Sequence, residues 1–136
     1  MTPLFADAFF FVALLNPKDR AHKSAWSYIE PDLDRPLVTT TWVLVEVGDA
    51  MATTTRNREA FLRLYRTLHA NPTVEVVPGE DQIESGLDLY ARRPDKLWSL
   101  TDCISFVVMI DRGITEALTG DHHFEQAGFR ALLRGG

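Results

Sequence analysis

At 136 residues the chain has the size of one domain, and it reads as a single domain over 1–136. With 46% hydrophobic and only 24% charged residues it can bury a core, which excludes a disordered chain. A formal net charge of −5 excludes a protein that coats nucleic acid by bulk positive charge, although a local basic strip can still recruit a phosphate backbone.

Leu4-Phe5-Ala6 reads as a short buried strand. Asp7 then opens a helix through Phe9, Phe10, Phe11, Val12, Leu14 and Leu15, ended by Asn16-Pro17. Three consecutive phenylalanines must cover opposite helix faces, so one ring is expected outside the core, where it can serve a dimer or partner surface. The apolar run Ala8–Leu15 is too short to span a bilayer and follows an acid rather than a basic stretch. A cytoplasmic protein is the expectation. A second helix is expected from about Arg20 to Ile29, a turn over Pro31–Pro36, and a second strand at Leu37-Val38-Thr39.

Thr40 or Thr41 can cap a third helix from Trp42 to about Met51. Beyond Thr53-Thr54-Thr55, a fourth helix carries Phe61, Leu62, Leu64, Tyr65 and Leu68 and ends near Asn71-Pro72. Val74–Val77 forms a third strand, and Ile83, Leu87 and Tyr90 mark another helix. A charged loop, Arg92-Arg93-Pro94-Asp95-Lys96, precedes the helix of Asp102, whose run Ile104–Ile110 is apolar nearly all round and should be buried on most sides. The lone Cys103 reads as a small core residue of a reduced compartment. Ile114–Leu118 is a fourth strand, and Asp121-His122-His123-Phe124 leads into a short turn and tail. Strands that alternate with helices imply parallel βαβ units, hence an α/β layer domain.

Four carboxylates, Asp7, Glu46, Asp102 and Asp121, follow or interrupt apolar runs, where an ionised group is costly without compensation. Three have plain structural readings. Asp7 can be a helix N-cap, Asp102 the far end of a capping box begun by Ser99, and Asp121 part of a turn. Glu46 has none: its neighbours Val43, Val45 and Val47 are apolar, Asp49 is a like charge, and no Lys or Arg lies within four residues. Position adds a second argument. In a parallel sheet the loops after the strands emerge at the carboxyl edge, and all four acids fall on or near that edge. A shared acidic pocket suits a hard cation such as Mg2+ or Mn2+, which can activate water and stabilise charge on a phosphodiester oxygen. One Cys and the His122-His123 pair do not make a zinc ligand set, and the pair reads as a surface turn. No phosphate-binding Gly-rich loop, serine nucleophile elbow or Cys-His pairing is present.

These residues resemble the motifs of the PIN-domain nucleases. Ala6-Asp7 after a strand is similar to the first motif, and Thr41 with Glu46 to the second. Leu100-Thr101-Asp102-Cys103-Ile104-Ser105-Phe106 is similar to the third, and Leu118–Phe124 followed by Gly128-Phe129 to the last. The resemblance runs nearly end to end and is greatest to the VapC-type toxins of bacterial toxin–antitoxin pairs. It implies a three-layer α/β/α sandwich with a central parallel sheet of four to five strands. It also implies Mg2+- or Mn2+-dependent cleavage of RNA, dimerisation, and inhibition by a small antitoxin protein. Asp7, Glu46, Asp102 and Asp121 would be the catalytic, metal-holding acids, and Thr119 the hydroxyl that orients water. Many members carry Ser or Thr after the first Asp, where this chain has Ala8. Arg92, Arg93 and Lys96 are the basic residues placed to touch RNA. Two rival readings stand: a PIN-like RNA-binding or processing module with a weakened site, and a phosphatase-like enzyme with Asp7 as nucleophile, which lacks the second Asp at position 9.

Overall fold

In the computed structural model, which describes residues 2–29 and 35–135, β1 (Leu4–Ala6) is the central strand of an all-parallel sheet. Its partners are β2 (Leu37–Thr40), β3 (Val74–Val77), β4 (Glu116–Leu118) and β5 (Arg130–Ala131), in the order β3-β2-β1-β4-β5. The helices between them are α1 (Ala8–Leu15), α2 (His22–Ser27), α3 (Thr41–Ala50), α4 (Thr55–Ala70), α5 (Ile83–Arg92), α6 (Leu100–Asp111) and α7 (His122–Gln126), with a 3-10 turn at Gly79–Gln82. The chain steps from β1 outward to β3, then crosses back to β4 on the other side of β1. Right-handed crossovers in opposite directions place their helices on opposite faces, which gives the three-layer α/β/α sandwich.

The apolar pattern explains the layers. All of β1 is buried, as a strand covered on both faces should be. In α1, Phe10 and Phe11 are buried and meet edge to face, while Phe9 is the ring left outside, 38% exposed. The expected turn at Pro31–Pro36 lies largely outside the described residues. The second helix is shorter than expected because Asp19 Oδ1 accepts the Ala21 N–H at 2.8 Å, holding 19–21 as a turn. His22 and Trp26 of α2 instead contact the last carbonyls of α1, on Ala13 and Leu14, at 2.7 and 3.2 Å.

The fourth strand also starts later than expected. Ile114 N–H bonds to Met109 O and Gly113 N–H to Ile110 O, closing α6 with Gly113 at φ 65, so Ile114 caps a helix rather than pairing in the sheet. Two-residue β5 lies in what read as tail, too short to leave a pattern in the sequence. Cys103 is buried and free, as expected.

Candidate active site at the carboxyl edge of the sheet

The switch in strand order falls between β1 and β4, which is where an open parallel sheet leaves a crevice at its carboxyl edge. Register fixes what stands there. Ala6 is level with Leu118, so Asp7 and Thr119 are the next residues out from two neighbouring strands. The Asp7 N–H continues the pairing to Leu118 O at 3.3 Å. The Thr119 hydroxyl donates to Asp7 Oδ2 at 2.8 Å and accepts the Asp121 N–H at 3.1 Å. One side chain therefore orients two of the acids.

Asp7 occupies the N-cap position of α1, yet its carboxylate makes no capping bond to the helix. It points into the crevice instead, 6% exposed, with no lysine or arginine paired to it among the described residues. Burial pushes its pKa up to about 7; the Thr119 hydroxyl pulls it down, and the charges of Asp102 and Glu46 add to the rise.

Asp102 enters from α6, which starts at the same edge and runs back beneath the sheet. Here the capping reading holds: Ser99 Oγ accepts the Asp102 N–H at 3.0 Å and Asp102 Oδ2 accepts the Ser99 N–H at 3.2 Å. The same oxygen also faces His123 Nδ1 at 3.1 Å, and burial raises the pKa of this carboxyl despite these partners. Asp121 caps α7 through His123 N–H at 2.9 Å and lies 3.5 Å from His123 Nδ1. A cap and a site ligand are thus compatible in one carboxylate, since its second oxygen is left over.

Glu46 departs from its expectation. It does not sit against the core: Val43, Leu44 and Val47 face inward, and Val45 and Glu46 face outward on α3. Its carboxylate forms no hydrogen bond or ion pair among the described residues. The raised pKa of Glu46 comes from partial desolvation and from Asp102, Asp121 and Asp49, which places it at the open rim of the same crevice. Thr40, not Thr41, caps its helix by accepting the Val43 N–H at 3.1 Å. Thr41 Oγ1 donates to Val77 O.

The residue that sequence reasoning undervalued is His123. Ligand atoms of Asp121, His122 and His123 lie within 4.8 Å of one another, so the pair that read as a surface turn belongs to the site. The only signal was its place directly after Asp121. An aromatic chain holds these elements in place: Phe5 to Phe124 at 6.3 Å, Phe124 to Phe106 at 4.9 Å, and Phe106 to Trp98 at 5.0 Å between ring centroids. Phe5 precedes Asp7 by two residues, Phe106 follows Asp102 by one helical turn, and Phe124 follows Asp121 by three residues.

The arginine-rich loop is differently disposed. Arg93 is bound through Nε and Nη2 to Asp95, both at 3.0 Å, and lies over Trp98 at 5.2 Å. Arg92 Nε donates to Asp88 O at 3.3 Å, and Lys96 reaches no acid among the described residues. Arg93 and Lys96 border a groove of about 600 Å³ that ends at Cys103, next to Asp102.

The fold has a counterpart among solved structures. The chain is similar to Mycobacterium tuberculosis VapC20, a Sarcin-Ricin loop cleaving toxin, with 26% identity and a TM-score of 0.79 over 93% of this chain and 95% of that one. The chain has a VapC-like PIN fold. No family model and no curated protein sequence matches it. The strand order brings acids from both ends of the chain to one edge. No helix among the described residues is long and apolar enough to cross a membrane.

The acids fit a hard divalent cation on their own chemistry. Three carboxylates with raised pKa values share one crevice, and among the described residues no lysine or arginine pairs with any of the four acids. Such a cluster is most comfortable when an external cation is bound.

Proposed function

We propose that this VapC-like PIN domain is a metal-dependent endoribonuclease, the toxin of a toxin–antitoxin pair. The observation that carries the reading is Asp7: a buried carboxylate at an N-cap position that makes no capping bond and stands near Asp102 and Glu46 with no lysine or arginine partner among the described residues. Asp7, Asp102 and Asp121 are the groups able to hold Mg2+ or Mn2+, with Glu46 at the solvent side. A cation there supplies charge neutralisation for a phosphodiester in the crevice and lowers the pKa of a water. The chain's own residues then do the positioning. Thr119 fixes Asp7 and Asp121 relative to each other, and His123 fixes Asp102. Glu46, outermost and with a raised pKa, is suited to accept a proton from the attacking water.

The solved relative is a Sarcin-Ricin loop cleaving toxin, which supports single-stranded or structured RNA as the substrate class for this chain. The partners that accompany this reading are the RNA, a small antitoxin protein and a second copy of the chain in a homodimer; the compartment is the cytoplasm. Cleavage of RNA in Mg2+ or Mn2+ by wild type, Asp7→Asn and Asp102→Asn tests the site. Wild type should cleave, and both variants should lose at least a hundredfold in rate, on the scale expected when a metal-holding or electrostatic group is removed. Equal cleavage by all three, or none by any, would sink the assignment.

A further inference from the structure

A nuclease whose chain is acidic overall needs cations close to its acids to hold a phosphate backbone. Arg35, Arg93, Arg112, Arg130 and Arg134 are all spent on ion pairs with carboxylates. Among the cations that form no ion pair within the described residues, Lys18, Arg20, Arg56 and Arg63 are gathered together. A cleft of about 560 Å³ opens beside Gly120, the residue between Thr119 and Asp121, and is bordered by Phe9, Lys18, Asp19 and Arg20. Lys18 is also part of an adjoining groove of about 550 Å³ that carries Arg56 and Arg63. Asp19, the acid of the first cleft, has its Oδ1 turned to the Ala21 N–H.

Phe9 is the second feature of this tract. Its ring lies so close over Gly120 that a Cβ there would fall on the ring atoms Cζ, Cε1 and Cε2. The ring therefore rests on the backbone of the acid-bearing turn and keeps 38% of its surface open to solvent. A flat, partly exposed aromatic resting on the acid-bearing turn, flanked by cations unpaired among the described residues, is the combination that single-stranded nucleic acid uses: stacking for a base and charge for the phosphates.

We propose that this tract is the path of the RNA strand as it leaves the acidic crevice. Phe9 stacks on an unpaired base, Lys18 and Arg20 hold the phosphates next to it, and Arg56 and Arg63 carry the strand outward. The proposal rests on the nuclease reading above. RNA fits better than an acidic protein here because four cations against one acid, Asp19, line the two adjoining grooves beside a ring open for stacking.

The test measures binding of a labelled mixed-sequence single-stranded RNA of about a dozen nucleotides, a length that spans one such site. Binding is followed by anisotropy in EDTA over a range of salt, beside cleavage kinetics in Mn2+. The full-length chain is compared with Phe9→Leu, the pair Lys18→Gln with Arg20→Gln, and the pair Arg92→Gln with Lys96→Gln; melting curves check that each is folded. The Lys18/Arg20 pair should weaken binding about tenfold, raise KM with little change in kcat, and flatten the salt slope by roughly 1.4, the loss of two phosphate contacts. Phe9→Leu keeps apolar cover on Gly120 and should weaken binding at least fivefold with an unchanged salt slope. The Arg92/Lys96 pair, whose Lys96 borders the rival groove, should weaken binding less than the Lys18/Arg20 pair does.

Active wild type with unchanged KM and affinity in the Lys18/Arg20 pair overturns the path and leaves the nuclease reading standing. So does a loss confined to the Arg92/Lys96 pair, or a Lys18/Arg20 pair that keeps RNA and fails only to bind an acidic protein partner. Wild type that neither binds nor cleaves RNA overturns the path together with the reading beneath it.

Discussion

Thr119 Oγ1 stands 2.8 Å from Asp7 Oδ2, a hydrogen bond that spans 112 positions in sequence and joins the first and fourth strands at their carboxyl ends. The same oxygen accepts from Asp121 N–H, so its donor and one acceptor position are both used by protein groups. In this structure the hydroxyl orients acids directly. Thr119→Val should therefore reduce cleavage by one to two orders of magnitude, on the scale of 1–3 kcal/mol for a buried hydrogen bond lost to a charged group. Thr119→Ser, which keeps the hydroxyl, should restore most of it. Rates of the two variants under identical metal concentrations check this.

Asp7 makes stability depend on pH in an unusual direction. Its folded pKa of about 7 exceeds the ordinary value of 3.8, so the folded chain binds the proton more tightly than the unfolded chain does. This group's contribution is thus at its best below the unfolded value and is lost as pH rises toward the folded value, a change on the order of 4 kcal/mol. Asp102 and Glu46 are shifted the same way, whereas Glu75, paired with Arg112, is shifted down. Comparing wild type with Asp7→Asn isolates the one group. In metal-free buffer the variant should be the more stable at pH 8 and nearly equal at pH 4. Added Mg2+ should raise the melting temperature of wild type at pH 8 and leave the variant almost unmoved. A variant less stable at pH 8 without metal would contradict the buried, uncompensated carboxylate.

His123 has its Nδ1 3.1 Å from Asp102 Oδ2 and holds Asp121 through its backbone N–H. Removing the ring loses the first contact and keeps the second. His123→Ala should cost ten- to a hundredfold in metal affinity, as loss of an outer partner of a ligand does, with a small change in melting temperature. Isothermal titration with Mn2+ reads this without relying on turnover.

The aromatic chain gives a stability prediction. Phe124 is fully buried between Phe5 and Phe106. Phe124→Ala should destabilise the fold by about 3–5 kcal/mol in urea unfolding. Phe124→Leu should cost less, and its residual activity at low temperature should fall because the turn carrying Asp121 is no longer held against Phe5.

Ser105 offers the opposite sign. Its Oγ is buried in α6 and has no hydrogen-bond partner. Ser105→Ala removes an unsatisfied polar atom from the core and should be neutral or stabilising by about 1 kcal/mol in thermal or urea unfolding.

Much of this was legible in the residues. The apolar runs at Leu4–Ala6 and Val74–Val77, the threonine cap before Val43 and the Ser99–Asp102 box each announce their element through local chemistry. The weighting of the acids was not. Glu46 looks most buried in sequence because its neighbours are valines, yet helical rotation turns it and Val45 outward. Asp7 looks like an ordinary cap, yet it is the acid most deeply enclosed. His123 looks like part of a turn, because nothing local reveals that Asp102, 21 residues earlier, lies across from it.

The sequence by itself determined the alternation of strands and helices, and with it the parallel sheet whose carboxyl edge collects the acids. That follows from periods and caps, which act over a few residues. Only the tertiary structure decided which acid is desolvated, which histidine touches it and which cations stay free. Those depend on strand order and register, which bring Asp7 against Thr119 and leave Lys18 and Arg20 without an acid partner among the described residues.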